Sequence, residues 1–328
     1  MKTTVDGYTS TFDAGVECRK EQYSSFVNQY YDLVTDFYLF GWGKSFHFAP
    51  RQRGESLKDA INRHQNYLAE QLSLKPGMNV IDLGCGVGGP LSNLVRSTGA
   101  SITGINNNGY QIEIAMKNTK DVSALCSFIK GDFMHIPERD NKFDAAYAFA
   151  ATVHAPDETQ LFREVFRILR PGGCFASYEW CLTETYDPEK SEHRKIKENI
   201  MLGNGLQDIP RTSDVSESLK KAGFEILKVH DQACESDPKM SWYRALEGRD
   251  FTFASIPRTP LGRSLTNLTL RIGEKLHLVP QGSRAVSTFL NKGADALVAG
   301  GRTDTFTPMY FFLARKPEVV QKTMEPDR

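Results

Sequence analysis

The chain has no excess of either charge: among its 328 residues, Lys plus Arg and Asp plus Glu both number 40. No basic stripe stands out, so the counterion release that drives nucleic-acid binding has no source, and nucleic acid is not an expected partner. Paired cysteines are also lacking. Cys18, Cys85, Cys126, Cys174, Cys181 and Cys234 are scattered, and no two stand at metal-ligand spacing. Reduced thiols and no metal are therefore expected. No apolar run approaches the roughly 20 residues that span a bilayer, which leaves only peripheral membrane contact. The opening Met-Lys-Thr-Thr-Val-Asp-Gly is too polar for a secretory signal, and a cytoplasmic setting is expected. Repeats and low-complexity tracts are absent as well.

The most informative segment is Asn79 to Pro90, an apolar stretch ending in an acid and a glycine-rich turn. Val80, Ile81 and Leu83 suit a buried parallel strand, while Gly84, Gly86 and Gly88 let the backbone turn tightly and approach a ligand. Pro90 to Ser97 can then open a helix. Such a turn also occurs in dinucleotide sites, where a carboxylate after the second strand takes the ribose hydroxyls. Here the second strand candidate, Ser101 to Ile105, is followed by Asn106, Asn107 and Asn108, and the turn has no phosphate-binding lysine. Asp82 at the end of the first strand suits a ligand with a cationic amino-acid end. S-adenosylmethionine, with its sulfonium and ammonium, is favoured over a pyrophosphate; a tight turn that merely packs helix on sheet is the alternative.

From Asn79 onward, strand-like and helix-like stretches alternate: Asn79 to Leu83, Ser101 to Ile105, Ser127 to Lys130, Phe143 to Phe149 and Cys174 to Trp180 read as strands. This is the pattern of a doubly wound α/β sheet. Leu161, Val165, Ile168 and Leu169 recur at helical spacing within Thr159 to Leu169, before Pro171-Gly172-Gly173 ends the helix. A helix over Ser213 to Ala222 feeds a sixth strand near Phe224 to Val229, but the last strand candidate, Phe306 to Ala314, comes much later. The intervening insertion carries an apolar stripe (Leu265, Leu268, Ile272, Leu276) and a second one (Val286, Phe289, Leu290, Leu297) at helical spacing. Both helices are expected to cap one end of the sheet, with most of these residues packing as ordinary core.

Further segments carry a resemblance: Tyr38-Leu39-Phe40-Gly41-Trp42-Gly43 with Ser45-Phe46-His47-Phe48, Gly104 to Asn108 with Tyr110-Gln111-Ile112, and Ala151-Thr152-Val153-His154-Ala155-Pro156. With Asp82 to Pro90, Tyr178-Glu179-Trp180 and Phe306-Thr307-Pro308-Met309, they closely resemble sterol C-24 methyltransferases from about Tyr30 to Pro317. The resemblance implies a class I, Rossmann-like methyltransferase sheet with helices on both faces, and an acceptor-capping helical insertion before the last strand. It also implies S-adenosylmethionine as methyl donor and a sterol or triterpenoid acceptor. Asp82, Gly84, Gly86 and Gly88 would lie near the methionine part, Asn106, Asn107 and Gln111 near the ribose, and Asp132 and Phe133 at the adenine. An acid there can accept from an exocyclic amine while an aromatic covers the ring.

An alkene that attacks a sulfonium methyl becomes a carbocation, so the site must position the alkene, exclude water and remove a proton. Aromatic faces stabilise such a cation, and Tyr38, Phe40, Trp42, Phe46, Phe48, Tyr178 and Trp180 are candidates. His154 and Glu179 are the candidate proton acceptors. The chain departs from the family's usual motifs at four acidic positions, which here are Leu39, Ala150, Met201 and Asn204. Either those acids only tuned the pocket and C-24 alkylation persists, or the acceptor has changed to another terpenoid alkene, hydroxyl or carboxyl. A non-catalytic sterol-binding relative is a third reading. The expected organisation is 1–75 as an aromatic and helical lead-in, 76–233 as the cofactor-binding core and 234–328 as the C-terminal region with the last strand. Peripheral contact with the endoplasmic reticulum or a lipid droplet, and a homo-oligomer, are compatible with this reading.

Overall fold

A computed structural model describes residues 2–237, 239–248 and 259–318. Four helices precede the sheet: α1 (Lys2–Asp13), α2 (Val16–Glu21), α3 (Tyr23–Gly41) and α4 (Leu57–Gln71). Ser56 caps α4, its hydroxyl accepting the Asp59 amide at 3.1 Å, so one orphan donor of the first turn is satisfied. Then follow β1 (Asn79–Leu83), α5 (Gly89–Thr98), β2 (Ser101–Asn106), α6 (Gly109–Asn118), β3 (Cys126–Lys130), β4 (Phe143–Phe149), α7 (Glu158–Ile168) and β5 (Leu169–Leu182). The rest comprises α8 (Ser191–Asn204), α9 (Thr212–Ala222), β6 (Glu225–Asp231), α10 (Pro260–Lys275), α11 (Ser283–Arg302) and β7 (Phe306–Arg315).

The seven strands form one sheet in the order β3-β2-β1-β4-β5-β7-β6. β1 to β5 pair in parallel, whereas β7 inserts antiparallel between β5 and β6. Strand order reverses between β1 and β4, and there the helices leave a crevice at the carboxyl ends. Asp82, Asn106, Asp132 and Ala150 all stand at or just past those ends. The central strands are apolar because both faces are covered: Ile81, Leu83, Ala146, Leu161, Phe162 and Phe175 fill one layer, and Val80, Leu91, Leu94, Tyr147 and Tyr178 the other.

A third core lies beyond the carboxyl ends and joins the beginning and end of the chain. Tyr8, Phe26 and Tyr30 pack with Met201, Val286, Phe289 and Leu297, so α1, α3, α8 and α11 form the wall above the sheet. The second predicted stripe therefore behaves as expected for Val286, Phe289 and Leu297, which are buried. The first does not. Leu265, Leu268, Ile272 and Leu276 are 50–64 % exposed, because α10 turns its polar side inward. On that inner side Asn267 accepts from the Ser287 hydroxyl at 2.9 Å, and Arg263 pairs with Asp295. The portion of the insertion at 249–258 lies outside the described residues.

Candidate active site

The crevice opens into a cavity lined by Asp82, Gly84, Gly86, Asn106, Asn107, Gln111, Asp132 and Phe133, with Ala150 and His154 also on its surface. Asp82 is 2 % exposed and its Oδ2 has no hydrogen-bond partner among the described residues. Burial pushes its pKa up to about 7, opposed only by the nearby Tyr147 hydroxyl. A buried carboxylate facing a cavity with an empty valence fits a cationic ligand group, such as the ammonium of S-adenosylmethionine. The turn packs closely on the loop after β4. Gly84 has φ 73°, and a Cβ there would stand 2.5 Å from the Cβ of Ala151. Gly88 instead caps α5 from behind, against Ala115, and does not line the cavity.

Helix α3 lies over this cavity and is fastened to its loops by successive polar contacts. Tyr23 donates to Asp132, Asn107 Nδ2 to Ser24 Oγ at 2.9 Å, Asn108 Nδ2 to Asp32 at 2.7 Å, and Tyr110 to Asp36 at 2.8 Å. Gln111 ties the set together: its Nε2 donates to Thr35 Oγ1 at 3.1 Å and its Oε1 accepts from Asn106 Nδ2 at 2.9 Å. Tyr23, Val27, Asn28 and Tyr31 of α3 thus line this cavity, and no sequence motif singles them out. The available signal was the run of polar side chains at helical spacing from Ser24 to Asp36.

A second, largely aromatic cavity adjoins the first. Phe37, Tyr38, Phe40, Trp42, Phe46, Phe48 and Trp180 line it, together with Asn204, Leu290 and Leu297. Phe46 and His47 line both cavities. The His47 ring stacks on Phe149 at 4.8 Å, its Nδ1 donates to Phe48 O at 2.8 Å and its Nε2 accepts from Gln65 at 2.8 Å. Burial lowers its pKa to about 4, so this divider between the cavities is uncharged at neutral pH. The segment is seated by a close approach: a Cβ on Gly89 would stand 2.0 Å from the carbonyl oxygen of Lys44.

A narrower cleft continues past Tyr31, Tyr38, Ala150, His154 and Trp180. His154 Nδ1 donates to Gly205 O at 3.2 Å, and its Nε2 stands 3.0 Å from the Tyr31 hydroxyl. A carbonyl can only accept, so Nδ1 carries the proton and Nε2 accepts from Tyr31. Burial holds the His154 pKa down at about 4 and the Tyr31 pKa well up, which keeps both neutral. The other two predicted catalytic residues sit elsewhere. Tyr178 stacks on His64 at 3.7 Å beneath α4 and lines neither cavity. Glu179 is fully buried, accepts from Thr152 and from Ser177 Oγ at 2.6 Å, and also lines neither. Burial pushes its pKa up to about 7. Through Thr152 it grips the short loop that carries His154.

Comparison with known proteins decides the family. The sterol methyltransferase C-terminal family matches residues 253–318 and the methyltransferase domain family residues 81–177. A cycloartenol-C-24-methyltransferase of Arabidopsis thaliana is 49 % identical over 304 residues, covering 92 % of this chain and 90 % of its own length. The sterol 24-C-methyltransferase of Saccharomyces cerevisiae is 43 % identical, covering 97 % of this chain and 86 % of its own. The chain belongs to the sterol 24-C-methyltransferase family. Solved structures agree on the fold. The [4+2]-cyclase SpnF superposes with a TM-score of 0.66 at 25 % identity, over 90 % of this chain and 97 % of that one. A cyclopropane synthase of Mycobacterium tuberculosis gives 0.67 at 17 % identity, over 88 % and 97 %.

Within this family frame the four departures from the acidic motif separate into two kinds. Ala150 and Asn204 line the cleft joining the cavities, so a carboxylate at either would face the acceptor space. Leu39 and Met201 do not line it. Met201 is buried in the core above the sheet.

Proposed function

We propose that the protein transfers the methyl group of S-adenosylmethionine to the side-chain alkene of a sterol, at C-24. The reading rests most on one observation: Phe46 and His47 belong at once to the cavity that holds the buried Asp82 carboxyl, with its unpartnered Oδ2, and to the aromatic cavity. A cationic cofactor and an apolar acceptor would meet there. The relatives' names, cycloartenol-C-24- and sterol 24-C-methyltransferase, support the acceptor class and the position.

When bound, the cofactor supplies an electrophilic methyl. The chain's own residues do the rest. Asp82 holds the cationic amino-acid end, Asn106, Asn107 and Gln111 face the ribose, and Asp132 and Phe133 take the adenine. Tyr38, Trp42, Phe46 and Trp180 line the acceptor space, where aromatic rings stabilise developing positive charge without reacting with it. Residues of α3 and α11 line these cavities. Proton removal is assigned to the Tyr31 hydroxyl, which can pass its own proton to Nε2 of His154 as it accepts one. A carbocation is a far stronger acid than imidazolium, so the low pKa of His154 is no obstacle. Glu179 acts as a positioning residue for the His154 loop.

Purified protein incubated with isotope-labelled cofactor and a panel of sterols and triterpenoids, followed by mass spectrometry, tests the reading. A label retained on the side chain of a Δ24 sterol is expected. Label on oxygen, or on a triterpenoid alone, would overturn the acceptor assignment, and cofactor binding without turnover of any acceptor would overturn the enzymatic one.

A further inference from the structure

Helix α10 is amphipathic in the reverse sense for a protein surface. Leu261, Leu265, Leu268, Ile272 and Leu276 recur every three or four residues, and each is at least half exposed. The nearby Leu278 is 76 % exposed. The opposite side of the helix makes the polar contacts to α11 already described, and Glu274 is turned in to accept the amides of Gly282 and Arg284 at 2.9 and 3.0 Å. Exposed leucines singly are ordinary; five on one helix face are not.

Two more observations indicate what covers this face. First, it borders the entrance of the aromatic cavity. Arg263 and Thr266, on the inner side of α10, line that cavity, as does Phe40, which is 86 % exposed. Second, the charge around it is of one sign. From Pro260 to Arg302 there are six Lys and Arg against two acids, and both acids are engaged within the protein. Arg271, Lys275, Arg284 and Lys292 are exposed and make no ion pair among the described residues.

We infer that the outer face of α10, with Phe40 beside it, docks on a lipid surface and delivers the acceptor straight from that surface into the aromatic cavity. An apolar helix face flanked by Lys and Arg is the signature of a helix lying in the plane of a membrane interface, with its leucines at the acyl boundary and its cations among the headgroups. A second copy of the chain fits less well, because a protein seated on this face would stand across the cavity entrance. The route of delivery rests on the acceptor proposed above, whereas the docking itself does not.

The test is flotation of the full chain with phosphatidylcholine vesicles, with and without phosphatidylserine, comparing wild type with the triple variant L265Q/L268Q/I272Q. Gln retains helix propensity and none of the three positions lines a cavity. Wild type is expected to float, more strongly with phosphatidylserine, and the triple variant to partition about tenfold less or weaker still. A second variant, R271E/K275E, should lose the phosphatidylserine increment. Turnover of a sterol presented in vesicles should fall in the triple variant, while turnover of the same sterol delivered from cyclodextrin stays within about twofold. Equal flotation of wild type and triple variant, or no flotation of wild type, overturns the proposal. So does a wild-type dimer in light scattering that the triple variant dissolves, which would give the face to a second copy. Loss of flotation in the triple variant, with no sterol methylated from either source, would uphold the surface and remove the acceptor reading instead.

Discussion

The Tyr31 hydroxyl stands 3.0 Å from Nε2 of His154, at the boundary between the cofactor cavity and the aromatic cleft. Because Nδ1 of the same ring donates to Gly205 O, the imidazole's lone pair is on Nε2, where it accepts the hydrogen bond of Tyr31. The pair is therefore set to move a proton away from the acceptor space. Removing the hydroxyl with Tyr31→Phe keeps the aromatic face and should lower kcat on the order of 100-fold, with cofactor affinity unchanged. The product mixture should also shift toward species in which water or a different proton resolves the cation, a change that a merely structural defect would not cause. His154→Gln should show the same signature more weakly. Unchanged kcat and product in Tyr31→Phe would remove the pair from the mechanism.

The Asp82 carboxyl gives the cofactor site a pH dependence whose sign can be worked out. Its pKa stands at about 7 in the free protein because burial penalises the anion. A cationic ligand binds the anion and pulls that pKa down, so binding expels a proton whenever the pH is below 7. Affinity for S-adenosylmethionine should rise with pH by up to tenfold per unit below about 7 and level off above it. The stability of the ligand-free protein should move the opposite way, since a carboxyl whose folded pKa is raised costs stability as the pH climbs from the unfolded value near 4 toward 7. Calorimetry at several pH values on wild type and Asp82→Asn checks both; Asn should bind more weakly and flatten the slope. A wild-type slope that survives in Asp82→Asn would assign it to another group.

Gly89 is a candidate for an effect felt in both cavities. A Cβ there would overlap the Lys44 carbonyl at 2.0 Å, and both are backbone-fixed, so the segment from Lys44 to Phe48 must shift. Gly89→Ala should cost roughly 1–3 kcal/mol of stability. It should also raise KM for the acceptor, because Phe46, His47 and Phe48 move with the segment. A variant with wild-type melting temperature and wild-type KM would show that the segment yields without consequence.

The strands were readable because their cause is local: each apolar run is bounded by a turn or by polar loop residues, and β1, β4 and β7 end within one residue of where periodicity puts them. The residues lining the crevice were readable for the same reason, since Asp82 and Asn106 stand at the ends of their strands and Asp132 just past the end of β3. Periodicity shows that α10 has two unlike faces, but not which one turns inward, and its leucines were placed inside when they are outside. Tyr178 and Trp180 share a sheet face by parity, yet one residue pair of strand carries them into different surroundings. Tyr178 lies under α4 against His64, while Trp180 reaches the aromatic cavity beside Phe48. Tyr31 was missed because its partner His154 is 123 residues away and no local pattern links them.

The departures from the acidic motif allow a last prediction, which depends on position. Leu39 is half-buried and lines neither cavity, so Leu39→Glu should leave kcat on a Δ24 sterol within about twofold. Ala150 is different. It lines the cofactor cavity and the cleft beyond, and its amide donates to Tyr178 O at 2.9 Å. Ala150→Glu therefore places a carboxyl where positive charge passes from cofactor to acceptor. Burial will raise the pKa of that carboxyl, so it is neutral at low pH and charged only above its shifted value. Stabilisation of the cation by an anion should then appear as a gain in kcat that grows with pH and is absent below about pH 6, a dependence wild type does not share. If kcat falls in Ala150→Glu at every pH while cofactor affinity is retained, the cleft has been rebuilt around an acceptor that carries no positive charge, and alkene methylation at C-24 would have to be abandoned for this chain.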